Sequence, residues 1–102
     1  MSAKTTAAQF TALLSHARNA EEIALLLEGI LTPQELDEVM VRWELLVRLI
    51  QGQTQREIAH DMGISLGTIA RGSRLLKYDL PEFRELVERI SHDIREFEQS
   101  EK

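Results

Sequence analysis

Gln55 to Leu75 reads QREIAHDMGISLGTIARGSRL, two short helical runs broken by one glycine. A helix-turn-helix needs a small residue where its helices cross, a turn residue tolerant of positive φ, and apolar side chains that hold the second helix on the first. Ala59 is the small crossing residue, and Gly63 follows four positions later in the turn. Ile58, Met62, Ile64 and Ile69 fall at the inward positions. Leu66, Gly67, Thr68, Ala70, Arg71 and Arg74 are left on the outer face of the second helix, small near its start and basic later. A face of this kind suits a major groove. The start of the first helix, at Thr54 and Gln55, offers unpaired N–H groups and a positive dipole end to phosphates. The same arrangement also serves a helical hairpin used only for packing.

Outward from this stretch, every long segment keeps helical periodicity and no alternating run nominates a strand. Thr54-Gln55-Arg56-Glu57 is a capping box that opens a helix to Met62, and Ser65 caps another through about Leu76. Upstream, Thr32-Pro33-Gln34-Glu35 combines an N-cap, a proline at the first helical position and a glutamate that closes a capping box. Leu36, Val39, Met40, Trp43, Leu46, Val47 and Ile50 keep helical spacing from there to Gln51-Gly52, where a glycine past the end takes positive φ. Two earlier helices carry Phe10, Leu13, Leu14 and Ala17, then Ile23, Leu26, Leu27 and Ile30. Asp79-Leu80-Pro81-Glu82 starts a last helix bearing Phe83, Leu86, Val87, Ile90, Ile94 and Phe97. The expectation is an all-α chain of six helices in one domain, 1–102, with the helix-turn-helix at about 54–76 and fraying ends at 1–6 and 98–102.

A chain of 102 residues has limited capacity to bury a core alone, so dimerisation would help it. With 5% aromatic residues, that core must be aliphatic. The absence of cysteine removes disulfides, thiolate nucleophiles and thiolate metal sites, and fits a reducing compartment. MSAKTTAAQF contains no hydrophobic signal core, and no apolar run approaches the length a bilayer requires, so a soluble cytoplasmic protein is expected. His16, His60 and His92 lack ligand spacing, so no metal is expected. With no phosphate-cradling loop either, the sequence offers no catalytic residues and no enzyme chemistry.

The net charge of −5 argues against a protein that coats nucleic acid indiscriminately. Residues 54–77 nevertheless hold Arg56, Arg71, Arg74 and Lys77 against Glu57 and Asp61, which makes this window +2 and the remainder −7. A basic surface on an acidic body orients a protein on DNA, although charge alone fits ordinary unevenness equally well. Gly67 and Gly72 lie inside the second helix, where each costs about 1 kcal/mol relative to alanine. DNA backbone, a ligand beside Arg71, or local flexibility would each account for them.

The runs Thr68-Ile69-Ala70-Arg71-Gly72-Ser73, Gln55-Arg56-Glu57-Ile58 and Leu31-Thr32-Pro33-Gln34-Glu35 closely resemble the trp repressor family, in order and approximate spacing. The likeness covers about residues 29–90. It implies an intertwined all-helical homodimer whose first, second, third and last helices share a core, with one helix-turn-helix reading head projecting from each subunit. Such a dimer reads a pseudo-palindromic operator with half-sites roughly 34 Å apart. L-tryptophan would act as corepressor, tilting the head into a DNA-competent pose, with no other cofactor.

By the same resemblance, Arg42 and Arg71 sandwich the indole, a task suited to planar guanidinium groups. Thr32 helps hold the ligand carboxylate, and backbone carbonyls around Gly29 and Leu31 of the partner subunit receive the ammonium group. Gly72 lets the ligand approach the helix. The operator-contacting set is Thr54, Gln55, Arg56, Leu66, Gly67, Thr68 and Arg71, with Arg74 added for its charge. Water mediates many such contacts in this family, a case that has long served as an example of wet recognition.

The sequence departs from the family at several points. Leu75 stands where a serine contacts the ligand ammonium, Ala59 replaces a lysine, and Arg74 replaces an asparagine. The Gly52–Thr54 loop is one residue shorter than in the best-known members. A helix-turn-helix regulator with a different effector, or none, therefore competes with the tryptophan-responsive repressor. A helical protein-interaction module is the third reading.

Overall fold

The computed structural model describes residues 5–100, with the side chains of Phe97, Gln99 and Ser100 left outside the description. The described residues are helical with no strand: α1 Thr6–Ser15, α2 Ala20–Ile30, α3 Pro33–Ile50, α4 Gln55–Met62, α5 Leu66–Arg74 and α6 Pro81–Ser100. Leu75–Asp79 between α5 and α6 is a wider π-helical turn, closed by the Leu80 N–H donating to the Leu75 carbonyl at 3.1 Å. The chain divides into two compact units, Met1–Val39 and Met40–Lys102, and α3 begins in the first and ends in the second.

In the first unit, local chemistry sets the helix starts. Thr5 Oγ1 accepts from the Ala8 N–H at 3.1 Å, and Asn19 Oδ1 accepts from the Glu22 N–H at 2.9 Å. Thr32 and Glu35 form the expected reciprocal box, 3.1 Å from the Glu35 N–H to Thr32 Oγ1 and 2.9 Å from the Thr32 N–H to Glu35 Oε1. None of the residues of α1 or α2 is buried. Of the eight apolar residues expected to form their stripes, Leu14, Ala17, Leu26 and Leu27 are half-buried and the others are exposed.

The second unit has a small closed core. Leu45, Ile58 and Ile69 are buried together, with Leu49, Ala59, Met62 and Ile64 packed against them. All four residues expected to point inward in the helix-turn-helix therefore do so. Leu45 was not among the expected core positions of α3. At about 100° per residue, the predicted stripe centres on one side of the helix and Leu45 and Leu49 lie roughly opposite. The helix is apolar on two faces, and the narrower one carries the closed core.

Three boundaries differ from expectation. Thr5 and Thr6 belong to the capped start of α1, and α6 continues through residues 98–100, so helical structure reaches further towards both ends than expected. The remaining terminal positions, 1–4 and 101–102, lie outside the described residues. The second helix of the helix-turn-helix stops being α-helical at Arg74, and the π turn carries the chain on to Asp79. Asp79 ends that turn while Pro81 opens α6. Among the described side chains of α6, Val87 and Ser91 are buried, whereas Leu86 and Ile94 stay exposed.

Candidate nucleic-acid interface and ligand cleft

The turn between α4 and α5 rests on two backbone devices. Gly63 adopts φ 65°, ψ 33°, and its N–H donates to the Ala59 carbonyl at 2.9 Å, which ends α4 with a left-handed glycine. Ser65 then starts α5, its Oγ accepting from the Thr68 N–H at 3.2 Å. At the other end of α4, Thr54 and Glu57 make the complete capping box. Gly52 at φ 91° ends α3, with its N–H on the Leu49 carbonyl and the Gln53 N–H on the Arg48 carbonyl, the paired bonds of a Schellman motif.

These devices leave Thr54, Gln55, Arg56, Leu66, Gly67, Thr68, Arg71 and Arg74 all exposed, on α4's start and α5. Ala70 is half-buried, so it belongs less to the outer face than the sequence implied. The Thr68 hydroxyl lies 2.9 Å from Ser65 Oγ, which fixes its rotamer at the surface. Thr54 uses its oxygen for the cap, while its backbone N–H is taken by Glu57 Oε1 at 3.2 Å. Both groups of Thr54 are therefore taken up in ordering the start of α4.

A cleft of about 270 Å³ lies between α3 and α5, lined by Arg42, Leu45, Leu46, Thr68, Arg71, Gly72, Leu75 and Phe83. That volume sits just below the roughly 300–1,000 Å³ of drug-sized pockets. Four of the seven residues expected at a ligand site, Arg42, Arg71, Gly72 and Leu75, come together here. The sequence reading assigned Leu46 and Phe83 only to core stripes and missed Leu45. A signal was present in the phase of α3, since Leu45 and Leu46 flank the direction of Arg42 on the helical wheel.

Gly72 lines the cleft and also has a close neighbour that the sequence did not indicate. A Cβ there would lie 3.3 Å from Leu45 Cδ2 and 3.5 Å from Leu49 Cδ1, so the close neighbour is the leucine pair of α3. Gly67 meets only Ser65 Oγ at 3.9 Å and faces open space otherwise. Gly29, Leu31 and Thr32 belong to the first unit. Gly29 is exposed in the last turn of α2, where the residue four positions on is Pro33, which has no N–H to give its carbonyl. The Thr32 oxygen accepts the cap bond, and its hydroxyl proton remains able to donate.

Among the described residues no group of three or more histidine, cysteine, aspartate or glutamate side chains could hold a metal, and no helix is long and apolar enough to cross a membrane. The profile of the family described as Trp repressor protein matches residues 5–91. A Trp operon repressor homolog of Mannheimia succiniciproducens is 36% identical over 69 residues, which cover 67% of this chain and 68% of the relative. One from Chlamydia trachomatis is 39% identical over 56 residues, 54% of this chain and 60% of the relative. One from Photobacterium profundum is 33% identical over 78 residues, 76% of each. With the family match spanning all six helix starts, the chain belongs to the Trp repressor protein family of transcriptional repressors.

Proposed function

We propose that the chain is an operator-binding repressor with L-tryptophan as corepressor, working in the cytoplasm as an intertwined homodimer. The observation that carries this reading is the cleft in which Arg42 of α3 and Arg71 of α5 line one space beside the exposed face of α5. An aromatic ring between two guanidinium planes gains stacking and cation–π attraction, while their N–H forks remain available to a carboxylate. A ligand there touches both α3 and the helix that presents Leu66, Gly67 and Thr68. Thr68 itself belongs to both surfaces, so occupancy biases the pose of the reading head through direct contact.

The dimer supplies what one chain lacks. Gly29 and Leu31 of the partner offer last-turn carbonyls to the ligand ammonium, and the Thr32 hydroxyl proton reaches its carboxylate. Val39 and Met40, 49% and 60% exposed, are covered by the second copy, as are the open stripes of α1 and α2. In that assembly residues 1–102 form one domain. On DNA, Gln55, Arg56 and the Thr54 cap hold backbone phosphates, Leu66, Gly67 and Thr68 approach base edges, and Arg71 and Arg74 add charge.

Calorimetric titration with L-tryptophan, followed by operator binding with and without it, tests the reading. The expected result is saturable heat and tighter, salt-dependent operator binding. Absence of heat with unchanged DNA affinity overturns the corepressor role. Arg71→Ala weakens both ligand and DNA binding, whereas Arg42→Ala chiefly weakens the ligand. Leu75 and Phe83 give the cleft an apolar wall and support a second reading, in which the effector is an aromatic acid without an amino group. Indole-3-propionate in the same titration separates the two.

A further inference from the structure

We propose that Arg48 is a positioning residue of the reading head, fixing α4 on the end of α3 through a three-way clasp. Its Nη1 donates to Gln53 Oε1 at 3.2 Å and to Asp61 Oδ2 at 3.4 Å, and its Nη2 donates to Glu44 Oε1 at 3.1 Å. Gln53 Nε2 also donates to Asp61 Oδ2 at 3.4 Å, which closes the ring of contacts. Three elements meet there: the last turns of α3, the loop before Thr54 and the far end of α4.

The arrangement differs in kind from the other ion pairs. Among the described residues, the remaining pairs lie within one helix or between sequence neighbours, while Arg48–Asp61 ties two helices together. Arg48 is also anchored from behind, because its carbonyl accepts the Gln53 N–H at 3.1 Å in the Schellman turn. The next residue, Leu49, packs against the core beneath α4 and α5. Apolar packing and the clasp thus hold the head at separate points, so rotation about the packed core is resisted by the polar side. The guanidinium serves these acceptors from two separate nitrogens in a fixed plane, whereas a lysine at this position would have to reach all three from a single nitrogen.

The clasp is only partly covered, Arg48 being 25% exposed and Asp61 44%, so its strength belongs with partly screened surface pairs. Loss of the pair is expected to weaken operator binding by up to about fivefold per head, and a two-headed dimer squares that ratio. Raising salt shrinks the difference between variant and wild type.

The inference rests on the operator-binding reading, and its test is chosen to stand apart from it. Without DNA, amide hydrogen exchange across α4 is compared in the wild type, Arg48→Met, Asp61→Asn and the exchanged pair Arg48→Asp/Asp61→Arg. Both single variants speed exchange in α4 while the middle of α3 is unchanged. The exchanged pair restores at least half of the protection, the like-charge contact with Glu44 limiting the rest. Operator affinity follows the same order. Unchanged α4 exchange in both single variants, or an exchanged pair as fast as either, overturns the clasp. A protein that binds no operator overturns the proposed function and leaves the exchange result to decide the clasp.

Discussion

Leu45 and Met40 lie on the same helix and meet opposite surroundings. Leu45 is 3% exposed, packed with Ile58 and Ile69 and 3.3 Å from where a Cβ of Gly72 would stand. Met40, on the other side of α3, is 60% exposed, and Val39 beside it is 49% exposed. One face of α3 is completed by the chain's own helix-turn-helix. The other is as apolar, and although Trp43, Leu46, Val47 and Ile50 along it are half-buried, Val39 and Met40 stay exposed. The difference teaches that the helix-turn-helix closes its own core on one face of α3, whereas Val39 and Met40 on the broad face stay open.

The largest effect is expected where that contrast is attacked directly. Val39→Asp places a charge on the broad face, which costs several kcal/mol if a second copy covers it. Sedimentation equilibrium should then show monomer at concentrations where the wild type is dimeric. A variant that remains dimeric would remove this face from the interface and leave the head unaffected.

Ile69→Ala probes the closed face. Ile69 is fully buried in the cluster with Leu45 and Ile58, so its truncation is expected to cost about 2–5 kcal/mol in urea unfolding. Leu66→Ala on the same helix removes an exposed side chain and should change stability by less than about 0.5 kcal/mol. Its effect should appear in operator affinity. Equal stability losses for the two would contradict the division of α5 into a packed and a reading face.

The sequence made much of this division readable, for local reasons. Thr32 with Glu35, Thr54 with Glu57, Ser65, Gly52 and Gly63 act through neighbours within a few residues, and all five stand where their chemistry puts them. The inward set of the helix-turn-helix was equally plain, because its apolar residues have no polar competitors at the same phase. Leu45 was hidden because periodicity picks the wider of two apolar faces. The π turn after Arg74 was hidden because an i→i+5 bond needs no distinctive residue. Gly72 was read towards a ligand, and only the packing of α3 shows that leucines approach it. The pairing of Arg42 with Arg71 in the cleft came only through the family resemblance, while Phe83 reached it from another helix, a placement that no local pattern encodes.

Gly72→Val tests how tightly the closed face is set. Its Cβ alone falls 3.3 Å from Leu45 Cδ2, and the branches add volume in the same direction. Overpacking of this kind costs about 1–3 kcal/mol, so the thermal midpoint should fall. The cleft lined by Gly72 should narrow too, with weaker tryptophan binding than stability alone explains. A variant as stable as wild type would mean that Leu45 yields freely and that the closed face is looser than its burial indicates.

The smallest effects should come from the two threonine caps, and they sharpen the comparison because their chemistry is the same. Thr54→Ala and Thr32→Ala each remove one hydroxyl that accepts an N–H at 3.1 Å, so each is expected to cost about 1 kcal/mol in urea unfolding. They should part in binding. Thr54 starts the head, and its loss loosens the first turn of α4, which lowers operator affinity at saturating tryptophan without altering ligand affinity. Thr32 starts α3 and keeps a free hydroxyl proton, so its alanine variant should weaken tryptophan binding in calorimetry. Thr32→Ser, which retains both the cap and the proton, should restore it. If both alanine variants bind tryptophan like the wild type, Thr32 is a cap and nothing more.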